Sequence, residues 1–147
     1  MGRSREYTFD DLLPFLREVA GSPLWKWADG MLCRHPAGIF NPWRYDSSKV
    51  GTSEQSSAGL PDLDDPATAG AIMARVVDLS PAPVQIGRSR AGGYEVWLKP
   101  VASPPRTRLM GWGASPGIAA AWALCRGLPE VRSELQALRD LHSGDVH

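Results

Sequence analysis

Asp62-Leu63-Asp64-Asp65-Pro66-Ala67-Thr68-Ala69-Gly70 decides how this chain is read, because it launches a helix running through Ala71-Ile72-Met73-Ala74-Arg75-Val76-Val77. Asp65 offers a side-chain acceptor to the first free backbone N–H groups, and Pro66 at the first helical position gives up no donor that the helix needs. Asp62, Asp64 and Asp65 set negative charge against the positive end of the helix dipole. The residues before this point are irregular in pattern. Those after it show a clear succession of helix and strand signals.

Ser80-Pro81-Ala82-Pro83 stops the helix. Val84-Gln85-Ile86-Gly87-Arg88 and Gly93-Tyr94-Glu95-Val96-Trp97-Leu98-Lys99 then alternate apolar and polar residues around Ala91-Gly92-Gly93, which predicts a β-hairpin. Pro100 to Pro105 forms a second turn, and Arg106 to Trp112 a third strand. Ser115 caps a second helix with Pro116 at its first position and an apolar body from Ile118 to Leu124. Trp122, flanked by alanines and Leu124, is expected to be the central core tryptophan. Both helices are too apolar to stand alone, so both are expected to lie across the sheet. Gly127 and Pro129 end or break the second helix, and Val131, Leu135, Leu138 and Leu141 mark an amphipathic C-terminal helix. The fold class is therefore α+β. Residues 62–147 hold an α-β-β-β-α core, a three-stranded antiparallel sheet backed by two helices, followed by the C-terminal helix.

Residues 1–61 are expected to supply an N-terminal helix and a long loop that pack on this core within a single domain. Thr8-Phe9-Asp10-Asp11 has the form of a capping signal, and Leu12, Leu13, Phe15, Leu16, Val19 and Ala20 follow at helical spacing before Gly21. Pro14 interrupts the pattern, so the helix either begins nearer Asp11 or kinks. Trp25 and Trp27 share a side of an extended segment, and Asp29-Gly30 favours a turn. Residues 34–61 are rich in Pro, Gly and Ser; they predict a surface loop with a flexible tip, pinned by Phe40, Trp43 and Tyr45.

Composition narrows the class of function. The 147 residues carry no net charge, which argues against a strongly electrostatic nucleic-acid binder. Cys33 and Cys125 form no CxxC pair, and no signal peptide or long apolar run is visible. These features read as a cytoplasmic protein with free thiols and no membrane segment.

Two resemblances follow. The order of elements over residues 62–129 resembles the double-stranded-RNA-binding domain, and Gly111-Trp112-Gly113-Ala114-Ser115 leading into Ala119-Ala120-Ala121 is similar to that domain's entry into its last helix. That family places lysines in the first turn of the last helix; here Pro116, Gly117, Ile118, Ala119 and Ala120 stand there, so the likeness implies fold and not dsRNA binding by that surface. Trp25-Lys26-Trp27-Ala28-Asp29-Gly30-Met31, Pro61 to Gly70, and Gly113 to Ala123 ending in Leu128-Pro129 resemble small accessory proteins of phages and prophages. In that group a W-x-W-x-x-G-M piece precedes a P-D-x-x-D-P-A-T-x-G helix start. No activity attaches to the group. The resemblance implies a setting: a phage protein acting on a host or anti-phage-defence protein.

Candidate chemistry is sparse. Cys33-Arg34-His35 is the only close Cys/His pair, short of the four ligands of a zinc site and without marked oxyanion donors for a thiol nucleophile. The cluster Asp62, Asp64, Asp65 could hold Mg²⁺, but capping uses the same residues and needs no missing partner. Gly111-x-Gly113 before Ser115 lacks the Gly-Lys-Ser/Thr of a phosphate loop. No cofactor or metal is called for, and a non-enzymatic role is expected. The informative surface is the hairpin: with Tyr94, Val96 and Leu98 facing the helices, Glu95, Trp97 and Lys99 face away. Either the N-terminal third covers Trp97, or Arg88, Arg90, Trp97, Lys99, Arg106 and Arg108 contribute to a partner-binding face. The leading partner is a host or defence protein, and nucleic acid stacked on Trp97 is the alternative.

Overall fold

The computed structural model describes residues 9–37, 41–49, 59–99 and 108–144. Thr8, Phe40, the tip of the long loop over 50–58, the turn at 100–105 and Arg106 lie outside them. The architecture is α+β. Helix α1 spans Phe9–Ala20; strands β1 (Leu32–Arg34), β2 (Trp43–Arg44) and β3 (Leu60–Pro61) follow. Helix α2 is Pro66–Leu79, and strands β4 (Val84–Arg88), β5 (Tyr94–Leu98) and β6 (Arg108–Gly113) come next. Helix α3 is Pro116–Trp122, and a π-helical segment, Ala123–Gly127, joins it to helix α4, Leu128–Gly144. The strands make two antiparallel sheets, ordered β2-β1-β3 and β4-β5-β6.

The first sheet corrects the expectation of an irregular loop across residues 34–61. Cys33 pairs with Trp43 on one side and with Pro61 on the other, so β1 is the central strand. Gly59 lies against the Trp43 ring, where a Cβ would collide with the indole. Tyr45 stacks on Trp27 with ring centroids 5.5 Å apart, and Trp25 meets Trp27 edge-on at 5.2 Å.

The start of α2 ties this sheet to the rest. Asp65 accepts from the Thr68 backbone N–H at 3.0 Å as N-cap, and Pro66 opens the helix. Thr68, fully buried, accepts from the Leu32 N–H through Oγ1 at 2.8 Å, and the Asp62 N–H donates to the Leu32 carbonyl. Arg44 pairs with Asp65 at 2.6 Å, and Arg34 pairs with Asp62. Two strands of the first sheet are thus fastened to the helix N-terminus by their own side chains and backbone.

The second sheet contains a β-bulge between β5 and β6. Val96 faces Gly111, but Trp97 faces Leu109, leaving Met110 as the extra residue. Met110 and Gly111 are both buried as a result. Gly111 lies so close to α3 that a Cβ there would strike the Ala119 carbonyl and the Ala123 backbone; one at Gly127 would strike the Met110 carbonyl. Helix α3 and the π segment close on the sheet with Ala119, Ala120, Ala121 and Ala123 buried, while α2, expected to lie across the sheet as well, packs chiefly on α3. Leu16 and Val19 of α1 join Ile72, Val76, Val96, Leu98, Leu124, Leu128 and Val131 in one core cluster.

Two further expectations change. Helix α1 begins at Phe9 and runs through Pro14; burial of Leu16 and Val19 offsets the missing donor. Gly127 and Pro129 do not break the last helix. Gly127 is taken up in the π segment, which closes with the Leu128 N–H on the Ala123 carbonyl, and Pro129 stands in the first turn of α4. Among the described residues no helix is long and apolar enough to cross a membrane.

The Arg44 hydrogen bond, more than any other cause, holds the Asp65 carboxyl below the usual carboxylate range. Because the folded pKa is the lower one, this stabilisation is complete above the unfolded value of about 4 and is lost as pH falls through the folded value. Asp65→Ala is expected to cost about 1 kcal/mol near neutral pH. In thermal melts, the gap between wild type and variant is expected to hold across the neutral range and to close in acid. Added EDTA is expected to leave both midpoints unmoved, because the carboxylate serves the helix and Arg44 and not a metal ion.

Candidate functional site

Alternation along β5 distributes its side chains as the sequence requires. Val96 and Leu98 are buried against the helices, and Glu95 and Trp97 occupy the outer face. Across the sheet, Gln85, Trp97 and Leu109 form one outer row, and Gly87, Glu95 and Trp112 the next. The Trp97 indole N–H donates to Glu95 at 2.9 Å, which fixes the ring within its own face. Leu109 is 45% and Trp112 51% exposed, values unusual for a leucine and a tryptophan side by side.

The structure brings some of the expected binding residues together and separates others. Arg88, Trp97 and Lys99 line one shallow depression of about 320 Å³ with Gln85 and Gly87. The Arg88 guanidinium lies 5.8 Å from the ring centroid of Tyr94, its cross-strand partner on the helix-facing side, so Arg88 borders the depression from the edge strand and does not stand on the outer face. Arg90 is exposed in the hairpin turn that follows β4. Arg108 does not belong to the face. Its cross-strand partner is Leu98, a helix-facing residue, and its guanidinium pairs with Glu130 at 3.1 Å and with Glu134 of α4. Arg106 lies outside the described residues. The described N-terminal elements do not hide the outer face: α1 packs on β3 and the π segment, leaving Leu109 and Trp112 exposed.

A second feature adjoins the face at Trp112, and nothing in the sequence pattern announces it. A cleft of about 680 Å³ runs between α1, the 91–93 turn and α3, lined by Leu12, Phe15, Trp112, Ile118, Trp122 and Arg126 among others. Trp122 is consequently not the central core tryptophan. The buried side of the helix belongs to the alanines and Leu124, and Trp122 stands on the flank, half-buried, with its ring 5.9 Å from Phe15. The Arg126 guanidinium covers it at 4.1 Å and is itself gripped by both carboxylate oxygens of Glu18, at 2.7–3.1 Å. The spacing of Trp122 and Arg126, four residues apart on a helix, is a readable signal for this stacked pair.

Groups that could perform covalent or acid–base chemistry are poorly placed for it. Burial pushes the Cys33 and Cys125 thiols up to about 11, so neither is a thiolate at neutral pH. His35 Nδ1 accepts from the Ala37 N–H at 3.1 Å. Asp62 and Asp65 are neutralised by arginines, and among the described residues no three His, Cys, Asp or Glu side chains gather as a metal site requires.

No family model matches this chain, and comparison with curated proteins and with solved structures returns no match.

The placement of Trp122 makes an ordering testable by urea denaturation. Leu124→Ala, in the core, is expected to cost about 3 kcal/mol, and Trp122→Ala, at the cleft wall, about 2 kcal/mol with the fold retained (large-to-small scale). The opposite order would return Trp122 to the centre of the core.

Proposed function

We propose that this chain is a non-enzymatic protein that works by binding another protein through the outer face of the second sheet. The observation that carries the reading is the exposed pair Leu109 and Trp112, set beside half-buried Trp97, with Trp112 also lining the cleft. Tryptophan centred in an apolar surface and rimmed by arginine and lysine is the composition of an energetic hot spot. Arg88, Arg90 and Lys99 supply that rim, and the Trp97–Glu95 bond presets the orientation of the ring. The same arrangement disfavours nucleic acid. Arg108 is neutralised by two glutamates, and Glu95 sits among the aromatic groups. Among the described residues on or bordering this face, Arg88, Arg90 and Lys99 are the cations left for phosphate contact.

The setting follows from the resemblance of the Trp25–Met31 and Pro61–Gly70 segments to phage and prophage accessory proteins. The partner we propose is a host or anti-phage-defence protein, met in the bacterial cytoplasm. Capture from nuclease-treated bacterial lysate tests both parts. Leu109→Ser with Trp112→Ser is expected to leave the melting midpoint within a few degrees, since both side chains are exposed, and to weaken capture at least tenfold, about 1.4 kcal/mol. A partner that disappears with nuclease, or whose binding falls steeply with salt while ignoring these two changes, would favour the nucleic-acid reading instead.

A further inference from the structure

Most glycines of this chain have a visible reason. Gly92 and Gly93 adopt left-handed φ values, and a Cβ at Gly111, Gly113, Gly117 or Gly127 would strike a neighbour. Gly87 has neither reason. Its φ is not left-handed, and a Cβ there would meet nothing within 4 Å. It stands within β4, where glycine forgoes cross-strand packing and adds entropy to the unfolded chain; a strand glycine of this kind marks a place where a ligand or another chain comes close to the backbone. Alternation puts its missing side chain on the side of Gln85 and across from Glu95, on the outer face. The bare backbone is the floor of the depression of about 320 Å³ that Gln85, Arg88, Trp97 and Lys99 surround.

The charges around that floor say what fits it. Arg88, reaching in from the edge strand, and Lys99 are exposed, and among the described residues neither meets a carboxylate. Glu95, the cross-strand partner of Gly87, gives its carboxylate to the Trp97 indole N–H instead. Two cations with Glu95 beside them leave a single positive charge, which suits one carboxylate and disfavours a run of phosphates. We infer that the depression seats an aspartate or glutamate side chain of the protein partner, over Gly87 and between Arg88 and Lys99. This deepens the outer-face reading and rests on it for the partner being a protein. Strand spacing then fixes a second property of that partner. β4 and β6 flank β5 at about 4.8 Å each, so the carboxylate sits about 10 Å from the apolar group that meets Leu109 and Trp112.

Selection of displayed linear dodecapeptides tests this, with the library first depleted on the Gly87→Val chain and then captured on the wild-type chain. Valine fills the depression, meets nothing at Cβ and favours strand, so the variant is expected to melt no lower than wild type. Surviving peptides are expected to carry Asp or Glu about three residues from an apolar anchor, an extended length of about 10 Å. Changing that acid to its amide, or Arg88→Gln with Lys99→Gln in the chain, is expected to weaken binding about tenfold, and the two changes together no more than either alone. No survivors, survivors without an acid, or losses that simply add would overturn the inference. A single-stranded DNA oligonucleotide that binds wild type and not Gly87→Val would also overturn it, in favour of phosphate. With no survivors, peptides recovered without depletion and lost with Leu109→Ser and Trp112→Ser would leave the outer-face reading intact while the carboxylate seat falls. Acidic survivors indifferent to those two changes would do the reverse.

Discussion

The close approach of α3 to β6 is the constraint on which the rest of this structure depends. Gly111 has the helix backbone directly above it, and Gly127 rests on the Met110 carbonyl. A side chain at either position would push the helix off the sheet. The β-bulge serves the same contact, because it turns Met110 and Gly111 to the inner side together. Backbone packed against backbone leaves little room for large residues between the layers, and alanine fills it. The aromatic bulk is displaced to the margins: Trp122 and Phe15 to the cleft, Trp97 and Trp112 to the outer face. A tight inner seam and an apolar exterior are two consequences of one packing choice.

The second organising contact is the N-terminus of α2. A bare helix end leaves donors unsatisfied; here Asp65 accepts from the Thr68 N–H, and Asp65, Thr68 and Asp62 together bind β1 and β2 through Arg44, Leu32 and Arg34. Acidic residues that resemble a metal site in sequence are consumed by structure. Much the same holds for the other reactive groups: the thiols are raised by burial, and Arg108 and Arg126 spend their charge on α4 and α1.

Local signals carry the parts of the fold that local physics decides. The Asp65-Pro66 cap, the Ser115-Pro116 cap and the alternation of β4 and β5 are all visible in the chain because each depends on neighbours in sequence. The first sheet is not visible there. Its strands are two or three residues long, too short to show a period, and their pairings span up to the length of the loop. The flank position of Trp122 escapes the sequence because an alanine-rich helix has no polar side to orient it; the glycines beneath decide which flank is buried. Arg108 departs from the expected face because the bulge shifts alternation along β6. The outer position of Trp97 is legible, while the cleft needs α1 and α3 to be brought together.

The central claim is that the outer face, with Leu109 and Trp112, is open in the free protein and, on the proposed reading, covered in the bound one. Hydroxyl-radical footprinting of the tryptophans, with and without the captured partner, measures this most directly. The account predicts that Trp112 oxidises readily in the free chain, well ahead of Trp97, and becomes protected in the complex. Protection of Trp112 in the free chain, or equal oxidation with the partner bound, would contradict it.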